Sequence, residues 1–130
     1  LAAGPRDWLA EFDKVRLPYN VNVLSAAAAE FVLSRREVLE EQTRRIVRDR
    51  EALEAGLDAI PGLRRFPSAA NFVLARVPDA PRAFEGLRTR GILVRTLHGS
   101  HPLLAHCLRF TVGTPDENAG LLAALAQAIG

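Results

Sequence analysis

The chain is 130 residues long, 48% hydrophobic and 25% charged, with a net charge of +2; these proportions suit one folded domain around a single core and exclude a disordered chain. Basic residues are interspersed with acidic ones rather than gathered in a stripe, which speaks against nucleic acid as a partner, and no apolar run reaches the roughly 18 residues of a membrane-spanning helix. A single cysteine excludes an internal disulfide framework, and no signal-peptide pattern is present, so a cytoplasmic protein is expected.

Two features of composition bear on chemistry. Lys14 is the only lysine among 17 basic residues, so lysine chemistry has one candidate. The chain starts at Leu1 and contains no methionine, and it reads as a part of something longer.

Pro5 suits the first position of a helix, where a missing N–H costs nothing, and Trp8, Leu9 and Phe12 then share one side of "PRDWLAEFDKV". That helix stops before Pro18, and "RLPYNVN" follows as an irregular connector. From Val23 to Leu33 the run "VLSAAAAEFVL" is apolar almost all round, which predicts a helix covered on more than one side by the core or by another subunit. Ser34 and Glu37 have the spacing of a capping box, so a new helix, or a bend, is predicted there. Leu39, Ile46, Leu53 and Ile60 recur at heptad spacing, with Leu57 adding a second row. A free-standing coiled coil competes with packing on a sheet; the stripe fails at Gln42, Thr43 and Arg50 and ends at Pro61-Gly62, which favours the sheet.

The period then changes from helical to alternating. Residues 71–77 and 107–113 read as strands and 92–97 as a shorter one. Asp79 opens a helix bearing Phe84 and Leu87 that Gly91 closes. Thr114-Pro115-Asp116-Glu117 carries the cap, proline and capping-box glutamate of a helix start, and Leu121, Leu122, Leu125 and Ile129 form that helix's buried face. The fold class is mixed α/β or α+β: residues 1–130 as a single domain, with a small three- to four-stranded sheet and helices packed mainly on one face.

Side chains alternate along a strand, so Leu108, Phe110 and Val112 face the helices while Cys107, Arg109 and Thr111 face away. Arg109 is thus a permanent cation on a rigid strand. It either pairs with a surface carboxylate or grips a carboxylate or phosphate through its planar fork. Arg95 occupies an equivalent place in "ILVRTL", and two arginines converging on one face would suit a doubly anionic ligand. Asn71 would add an amide donor or simply cap the start of its strand. His98, His101 and His106 near Cys107 invite a metal reading, yet they lack the paired spacing of zinc modules, and no metal is expected. No phosphate loop, nucleophile elbow or acid–base carboxylate pair is present. The residues alone stop at an anion-binding α/β domain.

"DKVRLPYNVN", "PSAANFVLARV" and "GILVRTL…CLRFTVGTPDEN" resemble, in order and spacing, the C-terminal third of histidinol-phosphate aminotransferases, within the fold-type I pyridoxal-phosphate enzymes. "LRFTVGT" alone would indicate only the wider class I and II aminotransferases. The resemblance implies the small domain of such an enzyme, with Arg109 binding the substrate carboxylate and Arg95 holding the phosphate or other anionic group. It places Tyr19 and Asn20 of the connector near the cleft. It further implies pyridoxal 5'-phosphate as cofactor, glutamate or 2-oxoglutarate and histidinol phosphate as substrates, and a homodimer. Relatives attach the cofactor through a Schiff-base lysine in a "SKxxGLAGxRxGY"-like segment. That segment and the large cofactor-binding domain are missing, and Lys14 lies in a different motif, so the isolated chain is expected to be inert with no catalytic residue of its own. A decarboxylase of a phosphorylated amino acid and a stand-alone anion-binding module are the alternatives.

Overall fold

The computed structural model describes residues 3–17 and 21–130; Tyr19 and Asn20 lie outside the described residues. The chain forms two compact units, residues 1–39 and 40–130.

In the first unit, α1 (Arg6–Val15) follows Pro5, which serves as N-cap rather than as first helical residue. Trp8 and Phe12, one turn apart, bring their ring centroids to 6.4 Å. Then α2 (Val23–Leu33) starts behind Asn22, whose side chain accepts the Ser25 N–H. No residue of α2 is buried, and Val23 and Leu24 are 84% and 82% exposed. Of the two covers expected, the core and another subunit, the first is corrected: among the described residues nothing of the core buries α2, because an all-round apolar sequence reports what a helix needs and not which surface meets it. Ser34 also departs from its expected role. Its hydroxyl donates back to the Phe31 carbonyl at 2.7 Å, closing α2, so the expected capping box with Glu37 does not form.

The long helix α3 (Arg36–Asp58) carries the heptad stripe. Only its C-terminal part is buried: Leu53, Leu57 and then Ile60 enter the core, whereas Leu39 and Ile46 stay 38% and 39% exposed. In the second unit a four-stranded sheet is built from β1 (Arg64–Arg65), β2 (Phe72–Arg76), β3 (Arg95–Thr96) and β4 (Cys107–Thr111), in the order β1-β2-β4-β3. All three pairings are antiparallel. Between β2 and β3 runs α4 (Ala80–Arg88), capped by Asp79, which accepts the Arg82 N–H. Gly91 follows it in the left-handed region at φ 77°, where the absence of Cβ removes the steric cost. A 3₁₀ turn (Pro102–Leu104) precedes β4, and α5 (Pro115–Ile129) closes the chain with the capping box of Thr114 and Glu117 fully formed. The two-residue β1 carries no alternating signal and was not expected. The run 92–97 pairs only at Arg95–Thr96.

One face of the sheet is the core. Val73, Ala75, Leu108 and Phe110 meet Leu53 and Leu57 of α3, Ala83 and Leu87 of α4, and Leu121 and Leu125 of α5. Each fully buried Leu or Phe side chain contributes about 1.5–3 kcal/mol of transfer free energy. The fold is therefore α+β, an antiparallel sheet with its helices on one face. The opposite face is left to Phe72, Leu74, Arg76, Cys107, Arg109 and Thr111.

Candidate anion site

Directly opposite residues of an antiparallel pair share a face. Arg109 stands opposite Leu74 of β2 on one side and opposite Arg95 of β3 on the other. Strand order and register thus bring the two predicted arginines together on the face away from the helices. Two like charges placed directly across a ladder are unfavourable unless an anion or solvent screens them. The strand positions of that face hold no carboxylate, and among the described residues neither arginine forms an ion pair.

The head of Arg109 is held from below. Its guanidinium carbon lies 5.0 Å from the centroid of the Phe72 ring, a cation–π distance. Its Nε is buried with no hydrogen-bond partner, so the fork is braced by an aromatic platform while its donors remain uncommitted. Arg76, farther along the same face, is used differently. Its Nε and Nη2 donate to the carbonyls of Ala105 at 3.0 Å and Leu103 at 2.7 Å, and it stacks, like Arg64, over Phe66. That arginine ties the loop before β4 to the sheet. Cys107, opposite Arg76, is buried beneath this arrangement.

Asn71 is exposed at the bend before β2 and its carbonyl accepts the Val112 N–H at 2.9 Å. Its side-chain amide makes no hydrogen bond among the described residues. It lies three residues from Leu74, roughly 10 Å along the strand from the arginine pair at the usual rise. The structure brings Arg95 and Arg109 together and leaves Asn71 at the margin.

Each histidine is part of a scaffold. Nδ1 of His98 accepts the His106 N–H at 3.0 Å, Nδ1 of His101 that of Leu103 at 3.1 Å, and Nδ1 of His106 that of Ala80 at 3.4 Å. An imidazole that accepts at Nδ1 carries its proton on Nε2, which is then a donor and not a metal ligand. Among the described residues no group of three His, Cys, Asp or Glu is placed to hold a metal ion.

A separate groove of about 530 Å³ lies where Ile92–Val94 diverge from Thr111–Gly113, beside the start of α5. Two of its polar side chains are already committed. Glu117 closes the capping box, and buried Asn118 bonds the N–H and C=O of Gly113 and reaches the Asp49 carbonyl. The Thr114 hydrogen bonds hold the Glu117 carboxyl below its ordinary range. Sequence reading missed the roles of Asn118 and Arg76. A buried Asn in a helix-start motif has no local signature, and Arg76 is recognisable only once the loop before β4 is folded over it.

The sequence matches the family described as aminotransferase class I and II over residues 1–125. The chain belongs to that family. This aminotransferase chain is 54% identical over 126 residues to histidinol-phosphate aminotransferase of Chromobacterium violaceum, covering 97% of the chain and 35% of that relative. Among solved structures, it resembles histidinol-phosphate aminotransferase from Clostridium acetobutylicum at a TM-score of 0.80 and 25% identity, covering 94% of this chain and 37% of that one. The enzyme of that name from Sinorhizobium meliloti, solved in complex with pyridoxal-5'-phosphate, superposes at a TM-score of 0.73 with 30% identity, covering 92% of this chain and 33% of that one. The chain therefore spans about a third of the length of the relatives it matches.

Pyridoxal phosphate needs a lysine to which it can attach. Lys14, the sole lysine, is an exposed residue of α1 whose Nζ is ion-paired with Glu11 at 2.5 Å. The described residues do not fit the cofactor's point of attachment.

Proposed function

We propose that the chain is the C-terminal small domain of a pyridoxal-phosphate-dependent histidinol-phosphate aminotransferase and that it supplies the anion-recognition face of the substrate site. The whole enzyme would exchange an amino group between glutamate and imidazole-acetol phosphate, with the cofactor held mainly by a large domain elsewhere in the protein. The observation that carries this reading is the Arg95–Arg109 juxtaposition: two cations on one face of a rigid sheet, without a carboxylate partner. Arg109, braced on Phe72, takes the substrate carboxylate in a forked contact, and Arg95 takes the phosphate or the distal carboxylate. Glutamate carries a carboxylate at each end and histidinol phosphate a phosphate at one, so the same pair of arginines serves each in turn. Asn71 at the margin of the face, and Tyr19 and Asn20 in the connector, are further substrate contacts in this reading.

The exposed apolar surface of α1 and α2, including Trp8, Val23, Leu24 and Phe31, supports burial against the rest of the enzyme and a partner subunit in a homodimer. No helix among the described residues is long and apolar enough to cross a membrane, in keeping with a cytoplasmic biosynthetic step.

The test is product analysis with the protein as its gene encodes it, loaded with pyridoxal phosphate and given histidinol phosphate and 2-oxoglutarate. Glutamate and imidazole-acetol phosphate in equal amounts are the expected products. In a parallel reaction given a phosphorylated amino acid instead, release of carbon dioxide, together with no amino transfer from histidinol phosphate, would replace this reading by the decarboxylase one.

A further inference from the structure

We infer that Arg50 of α3 is a positioning residue for the anion site, acting from the opposite side of the sheet through the turn that leads into β2. This inference rests on the function proposed above.

Arg50 broke the apolar stripe of α3, and its surroundings give the reason. The side chain is only 14% exposed. Its Nη1 donates to the Ala70 carbonyl at 3.0 Å, across 20 residues of sequence. Its Nε is buried without a hydrogen bond, and so is the nearest carboxylate oxygen, Oε1 of Glu54, at 3.8 Å. The other oxygen of Glu54 is 3.5 Å from Nη1 of Arg65, whose Nε in turn bonds Asp58 at 2.9 Å. One carboxylate thus stands between two guanidiniums beneath the turn. As a stabilising device this is poor, because a nearly buried cation with an imperfect ion pair is generally no better than a well-packed apolar side chain. What it does achieve is a fixed place for Ala70.

That carbonyl belongs to a stiff segment. The Ser68 hydroxyl accepts the Ala70 N–H at 3.1 Å and donates to the Phe72 carbonyl at 2.6 Å. The next carbonyl, Asn71, is bound by Val112 at 2.9 Å. Residues 68–72 therefore move as one body, and Arg50 grips that body at its outer carbonyl. Two residues beyond the grip is Phe72, whose ring carries the Arg109 guanidinium. With Nε of Arg109 unpartnered, the ring beneath it is the main restraint on the head group. Displacing the turn displaces the platform and then the fork, and a misplacement near 1 Å in a positioning group can cost as much as about a hundredfold.

The experiment measures kcat, KM for 2-oxoglutarate and melting temperature in the protein as its gene encodes it, for Arg50→Leu, Arg50→Gln, Arg50→Lys, Phe72→Leu, Arg109→Ala and the Arg50→Leu/Phe72→Leu double variant. We expect Arg50→Leu and Arg50→Gln each to raise KM about tenfold while kcat changes no more than about twofold. Arg50→Lys, which keeps one donor for Ala70, should return KM to within about threefold of the parent. In the double variant the two losses should not multiply, because both act through the same ring. If Arg50→Leu fails to fold, Arg50→Gln decides. A lowered melting temperature with KM unchanged, while Arg109→Ala remains defective, overturns the positioning role alone. An Arg109→Ala variant with unchanged KM overturns the anion-site reading itself, and the role of Arg50 with it.

Discussion

Arg95 and Arg109 occupy directly opposite positions on β3 and β4, so two side chains separated by 13 intervening residues of sequence present their charges on one face of one sheet. Arg109 is in addition stacked on Phe72 at 5.0 Å. The pair is held apart from every described carboxylate, and an anionic substrate is the partner that would relieve its mutual repulsion.

Replacing Arg109 by Ala should therefore impair glutamate and histidinol phosphate together. Loss of a forked, charge-assisted contact to a desolvated anion, the carboxylate of glutamate or the phosphate of histidinol phosphate beside Arg95, costs about 2–4 kcal/mol, or roughly 30- to 1000-fold in kcat/KM. Steady-state kinetics with each amino donor check this. Arg95→Ala should fall hardest on the substrate carrying the phosphate, and equal retention of both substrates by either variant would remove the clamp.

Lys14 should prove irrelevant to chemistry. Its ammonium is paired with Glu11 on an exposed helix, and such pairs contribute little. Lys14→Arg should leave kcat of the cofactor-loaded protein within about twofold, and the 130-residue chain by itself should show no transamination of histidinol phosphate. Detectable turnover by that chain would mean that the cofactor finds an attachment point not evident in the described residues.

The helix layer makes a paired prediction about glycines. A Cβ at Gly86 would meet the Ala128 Cβ at 2.7 Å, where α4 and α5 cross, whereas a Cβ at Gly120 meets nothing within 4 Å. Gly120→Ala should stabilise by about 0.5–1 kcal/mol through helix propensity. Gly86→Ala should destabilise by about 1–2 kcal/mol, because the rigid Ala128 cannot step aside and overpacking outweighs the same propensity gain. Urea titrations of the two variants should move in opposite directions.

The start of α5 predicts a pH dependence. Hydrogen bonds from Thr114 lower the Glu117 pKa below its ordinary value of 4.5. A carboxyl whose folded pKa is depressed contributes stability that is present above the unfolded value and is lost as pH falls through the folded one. Glu117→Gln should therefore melt lower than the parent at pH 7, with the gap closing as pH falls below about 4.5. Thr114→Ala, which removes the N-cap oxygen, should cost about 1 kcal/mol. Melting curves from pH 7 to pH 3 separate the two effects, since Thr114→Ala should persist further into acid than Glu117→Gln.

What residues determined by themselves is local. Thr114, Pro115 and Glu117 start a helix because cap and capping box are complete within four positions, and Asp79 starts another by its N-cap alone, accepting the Arg82 N–H. Alternation in 107–111 was enough to turn Arg109 away from the core, since adjacent strand side chains must point to opposite faces. Local rules failed where one group had two partners to choose from. Ser34 could cap forwards or backwards and closed α2 instead. The heptad stripe of α3 could not say where its cover ends, and Leu39 and Ile46 remained exposed. Tertiary structure alone decided the strand order β1-β2-β4-β3 and, through it, that Arg95 faces Arg109. It also decided that Arg50 reaches Ala70 and that Phe72 carries the Arg109 head. Each of these joins residues far apart in sequence, and such contacts exist only after the loops between them have closed, a cost met by burial of the whole core rather than by any short motif.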